Sequence, residues 1–145
     1  MILLTSFRRA QSKDFSFPKI PCFSAAVYQP KNCNFPKAKW ADIRWPGGTW
    51  IRPREFVEWD HPLNGYFGNL LALYLSRTDE IMKWLHKHPK AALLCWCPYE
   101  KAAQRQIRQH GTFVCHLGVV EAYLRQQGMQ VKVDDDRRDK MVRFY

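Results

Sequence analysis

The pattern of apolar and polar positions divides the chain into short, alternating elements. Ile2 to Phe7 is an apolar run of strand length, and the basic pair Arg8-Arg9 marks its exit. Phe23 to Tyr28 reads as a second strand, reached through a Pro-containing loop and ended by Pro30. Phe67, Leu70, Leu71 and Tyr74 recur at helical spacing and predict a helix over 65–75. A further helix follows, with Ser76 as its cap, Asp79 and Glu80 in its first turn, Ile81, Met82 and Leu85 inward, and Pro89 as its stop. Ala91 to Cys97 is a continuous apolar run between two prolines, as expected for a strand covered on both faces. Residues 99–110 form a mostly polar helix closed by Gly111. Residues 115–127 form one with Val119, Val120, Tyr123 and Leu124 inward and Gly128 past its end. Met129, Val131 and Val133 then alternate as a last strand.

Strands separated by helices predict a single-domain α/β layered fold, a small parallel or mixed sheet flanked by helices, over residues 1–133. Residues 31–62 break the pattern. They carry Pro36, Pro46, Pro53 and Pro62 with the pair Gly47-Gly48, so a long loop is expected there. Trp40, Trp45, Trp50 and Trp59 lie in this stretch among lysines and arginines, at spacings that suit neither a helix nor a strand face. They read as a loop surface or as a cover over the core. Residues 134–145 read as a mixed-charge tail.

Charge changes the picture. The 145 residues carry a formal net charge of +10, spread along the chain and not gathered in one tail. A basic folded surface favours anionic partners, so nucleic acid or a nucleotide is the expected partner class. Arg44, Arg52 and Arg54 in the Trp-rich stretch, with Lys101, Arg105 and Arg108 along one face of the 99–110 helix, are the candidate nucleic-acid contacts. The same residues also suit a plain solvated surface, and no helix-turn-helix or zinc-finger module accompanies them. No run approaches the roughly 20 apolar residues of a membrane span, and the first residues lack the order of a secretory signal, so a cytoplasmic protein without membrane contact is expected.

Five cysteines, two of them flanking Trp96, make a poor disulfide framework and point to reduced thiols. The sharpest cluster is Cys95, Cys97, Cys115 and His116, expected to converge at the carboxyl edge of the sheet. Four soft ligands there would hold zinc in a tetrahedral site. Seventeen residues separate Cys97 from Cys115, which is no standard zinc-finger spacing. Core thiols with a locally bonded His116 form the alternative. A third reading makes Cys115 and His116 a catalytic pair, with the thiol activated at a helix N-terminus. The phosphatase-like order of Cys, two residues, Gly, two residues, Arg ends here in Glu121.

Leu93-Leu94-Cys95 followed by Phe113-Val114-Cys115-His116 resembles the paired signature of the bacterial domain of unknown function 488. Thr5-Ser6-Phe7 in the first strand and the stretch from Ile20-Pro21 to Pro30 resemble that family's earlier motifs. The chain departs from it at Leu117, where the family commonly carries arginine, and in the longer link from Cys95 to Cys115. The resemblance implies an α/β fold with a pocket near Cys95, Cys115 and His116, and no settled activity. With the charge, it leads to a nucleic-acid- or nucleotide-directed protein in which Thr5, Ser6 and Arg8 bind the ligand and the start of the 115–127 helix faces its anionic group. A zinc-stabilised interaction module and a cysteine-dependent enzyme are the alternatives.

Overall fold

A computed structural model describes residues 1–12, 20–26, 28–41 and 66–144. Four short strands form one parallel sheet: β1 (Ile2–Ser6), β2 (Cys22–Ser24), β3 (Ala91–Cys95) and β4 (Val131–Val133), in the order β2-β3-β1-β4. The expected α/β fold is therefore present, and its sheet is parallel. Ile2 pairs with Ala91 and Ser6 with Cys95, so β1 and β3 end side by side. All ten residues of these two strands are buried, as their unbroken apolar character requires.

Alternation along the strands sends side chains to two faces. Ile2, Leu4, Leu93 and Cys95 join the larger core, beneath α2 (Tyr66–Ser76), α3 (Thr78–Lys87) and α5 (His116–Gln126). Leu3, Ala92 and Leu94 enter a smaller cluster with Phe7 and Ala26, edged by Ile20, Cys33 and Phe35. Each fully buried Leu or Ile contributes about 1.5–3 kcal/mol, so the larger face carries most of the apolar stabilisation. Trp40, in a 3₁₀ turn at Lys39–Ala41, is buried against Tyr74, Trp84 and Tyr123 with ring centroids 5.8–6.4 Å apart. It covers the core, as one of the two sequence readings has it. Trp45, Trp50, Trp59, Arg44, Arg52 and Arg54 lie outside the described residues.

Three local expectations differ from the structure. The residues after β1 fold at once into a short helix, α1 (Phe7–Ala10), capped by the Ser6 hydroxyl, which accepts from the Arg9 N–H at 3.1 Å. Ser76 does not cap α3. It ends α2, its hydroxyl donates to Leu73 O at 2.7 Å, and Arg77 takes the cap position without a side-chain bond, because the two helices nearly abut. The third difference concerns the C-terminal stretch, read as a charged tail, which is packed into the fold. The Phe113 N–H donates to Lys140 O and the Val142 N–H to Phe113 O, while Met141 and Phe144 are buried. Asp134 and Arg143 find buried partners in Thr5 and Glu121, which composition alone does not disclose. The helix over Lys101–His110 (α4) ends as expected at Gly111, whose φ of +75° closes the last turn.

Candidate functional site

The carboxyl ends of β1 and β3 carry two layers of polar groups, one buried and one open. The buried layer is built by the turn after β4. Asp134 accepts from the Thr5 hydroxyl at 2.5 Å and from Arg9 Nε at 3.0 Å, and Asp136 accepts from the Ser6 hydroxyl at 2.9 Å. Burial would raise the Asp134 pKa, but the bonds from Arg9, Thr5 and the Asp135 N–H hold it below its ordinary value. Thr5 and Ser6, expected as ligand contacts, thus fasten this turn and α1 to the sheet.

Beside them the sulfurs of Cys95, Cys97 and Cys115 lie within 4.8 Å of one another, all buried. Cys95 Sγ is 3.5 Å from Cys115 Sγ, and Cys115 also caps α5 by accepting from the Leu117 N–H at 3.5 Å. The sequence placed these three together correctly. It missed Arg137. That side chain is wholly buried, with Nη1 and Nη2 both 3.3 Å from Cys95 Sγ and Nη1 3.9 Å from Cys115 Sγ, while Nη2 also donates to Cys97 O. Burial works against its charge, yet the sulfurs of Cys95 and Cys115 and the Asp136 carboxylate keep it protonated. Burial would likewise raise Cys95. The S–H contacts from Cys115 and Cys97 and the charge of Arg137 outweigh it, so Cys95 sits well below the usual thiol range. Cys97 is pushed up, first by its contacts with Cys115 and Cys95 and then by burial; Cys115 is pushed up chiefly by burial. The centre sets a guanidinium against a cluster of three sulfurs, of which Cys95 is the one most readily ionised. The only warning in the sequence was an arginine among aspartates, which resembles ordinary surface.

His116 is buried, and its Nε2 lies 2.8 Å from Ala25 O; Nδ1 comes no nearer than 4.0 Å to Cys115 Sγ. The pair considered for catalysis therefore faces the interior, with the Cys115 thiol protonated.

The open layer is a cleft of about 360 Å³ lined by Phe7, Arg8 and Gln11 of the α1 region, Pro30, and Trp96, Tyr99, Glu100 and Lys101 of the β3–α4 link. Arg8 is exposed, with its guanidinium carbon 4.6 Å from the centroid of the Tyr99 ring. Trp96 is 40% exposed yet fixed: its indole N–H donates to Tyr28 O at 2.8 Å, and it meets Phe7 edge to face at 5.7 Å. Burial, aided by Asp136, raises the Tyr99 pKa, so its phenol keeps its proton. From the cleft, Lys101, Arg105 and Arg108 continue as exposed residues of α4.

Fold and site together define a class: a parallel α/β protein with a buried cysteine–arginine centre and a basic, aromatic cleft at the carboxyl edge of its sheet. No family model, curated protein or solved structure matches the chain. No helix among the described residues is long and apolar enough to cross a membrane.

Proposed function

We propose that the protein binds a nucleotide unit, free or within a single strand, in the cleft formed by Arg8, Trp96, Tyr99 and Lys101. The observation that carries this reading is an exposed, fixed Trp96 beside Arg8 on Tyr99, because a base needs a rigid ring and its phosphate needs a cation. The position also fits, since ligands of parallel sheets collect outside the carboxyl ends of the strands. Of the residues expected to contact ligand, Arg8 lines the cleft and Lys101, Arg105 and Arg108 extend from it, while Thr5 and Ser6 act from beneath by fixing α1. Glu100 is the one carboxylate of the lining and disfavours a phosphate on its side, which supports a phosphate position toward Arg8.

The test is a fluorescence titration of the full chain at low salt, once with a nucleoside monophosphate and once with a single-stranded oligonucleotide. Quenching of Trp emission by either, lost in Arg8→Ala and Trp96→Ala, supports the proposal. Binding of the oligonucleotide alone assigns the unit to nucleic acid, and failure of both ligands to bind refutes the reading.

A further inference from the structure

Three sulfurs within 4.8 Å are the usual sign of a metal site, but here a guanidinium lies against two of them. Arg137 puts two N–H groups on Cys95 Sγ and reaches Cys115 Sγ and Cys97 O with the same two nitrogens. We propose that Arg137 is the resident cation of the three-cysteine centre, that the native centre takes no metal ion, and that the same sulfurs become a soft-metal site once the arginine is removed.

Two observations carry this. First, the guanidinium lies against two of the three sulfurs an ion would need, Cys95 and Cys115, so an ion shared by all three would compete with it for both volume and charge. Second, the arginine has no easy exit. Its backbone belongs to the turn from Asp134 to Met141, whose start is tied by Asp134 to Thr5 and Arg9 and by Asp136 to Ser6, and whose end is tied by Lys140 O to the Phe113 N–H. Displacing it would break those bonds or leave a charge in the core. Of the His116 nitrogens, Nε2 is directed at Ala25 O and Nδ1 lies 4.0 Å from Cys115 Sγ. A carboxylate is also close: Glu100 Oε1 lies 3.4 Å from Cys97 Sγ. Removing the guanidinium leaves three sulfurs, this carboxylate and a vacated volume, a donor set suited to cobalt or zinc.

The experiment compares the reduced, full-length protein with Arg137→Met, and with Arg137→Gln should the first variant fail to fold. Each is titrated with Co²⁺ and followed by the thiolate-to-cobalt charge-transfer band, and zinc content is measured as purified. The native chain is expected to carry no zinc, to melt at the same temperature with and without chelator, and to develop no band. The variant is expected to take up cobalt at least about tenfold more tightly. Stoichiometric zinc in the native protein, with a melting temperature lowered by chelator, would overturn the proposal. So would a folded variant that binds cobalt no better than the native chain.

Discussion

Replacing Cys95 by alanine tests the buried centre through stability. Arg137 is wholly buried, and Cys95 Sγ receives two of its N–H groups at 3.3 Å. With that sulfur gone, the charge retains Asp136, 3.6 Å from Nε, the Cys97 carbonyl and the more distant Cys115 sulfur, but loses its closest anionic partner. Removing one partner of a buried pair costs about 3–5 kcal/mol, a large share of the roughly 5–15 kcal/mol that holds a domain together. At roughly 2–4 °C per kcal/mol for a chain of this size, the melting temperature should fall by about 6–20 °C. Cys97→Ala leaves the Arg137–Cys95 contact in place, removes a thiol that lies 3.4 Å from Glu100 and beside the two other sulfurs, and should cost about 1 kcal/mol. Urea unfolding followed by circular dichroism measures both variants, with an unchanged denaturant slope as the sign that only stability has moved. Equal losses for Cys95→Ala and Cys97→Ala would refute the reasoning, because sulfurs that share one metal ion are lost at equal cost.

Other consequences follow from the same geometry. The Cys95 pKa is lower folded than unfolded, so its ionisation adds stability that is complete above the unfolded thiol value and is lost as pH falls through the folded one; the gap between native protein and Cys95→Ala should narrow on acidification, measured by melts across pH. Asp134 obeys the same sign in the carboxylate range. Thr5→Val removes its buried donor, and urea unfolding should show a loss of about 1.5–3 kcal/mol at neutral pH that shrinks once the carboxylate is protonated. Gly118→Ala would place a Cβ 2.8 Å from both Val142 O and the Phe144 ring. Overpacking of about 1–3 kcal/mol should outweigh the roughly 1 kcal/mol gain in helix propensity, and a variant more stable in urea than the native chain would show that the C-terminal stretch does not pack on α5.

Much of the fold was legible because burial dictates it. The apolar runs of β1 and β3 and the period of α2 and α5 are consequences of which side chains leave water, and the turn glycines Gly111 and Gly128 both have φ values that favour glycine. Cys95, Cys97 and Cys115 could be placed together because strand ends and helix starts share the carboxyl edge of a parallel sheet. Arg137 could not. An arginine between aspartates looks like solvated chain, and only long-range packing of the last segment carries it to the thiols. Thr5 and Ser6 were read as ligand contacts for a related reason: their position at a strand end was visible, but Asp134 and Asp136, more than a hundred residues later, were not visible as their partners. The cleft is not legible in the sequence because Trp96 stands there only as the residue between two cysteines and Tyr99 only as the start of a polar helix, whereas their exposure depends on how the β3–α4 link leaves the sheet.

The central claim is that Arg8, Trp96 and the basic face of α4 receive a nucleotide unit, and the salt dependence of binding tests it most directly. Affinity for a single-stranded oligonucleotide should fall with a slope of about −0.7 per phosphate neutralised, so Arg8, Lys101, Arg105 and Arg108 together give up to about −3 on a plot of log affinity against log salt. Arg8→Ala should make that slope shallower. Trp96→Ala should leave the slope unchanged while weakening binding by about 1–3 kcal/mol through lost stacking. Binding that is insensitive to salt, or that survives both substitutions intact, would contradict the account.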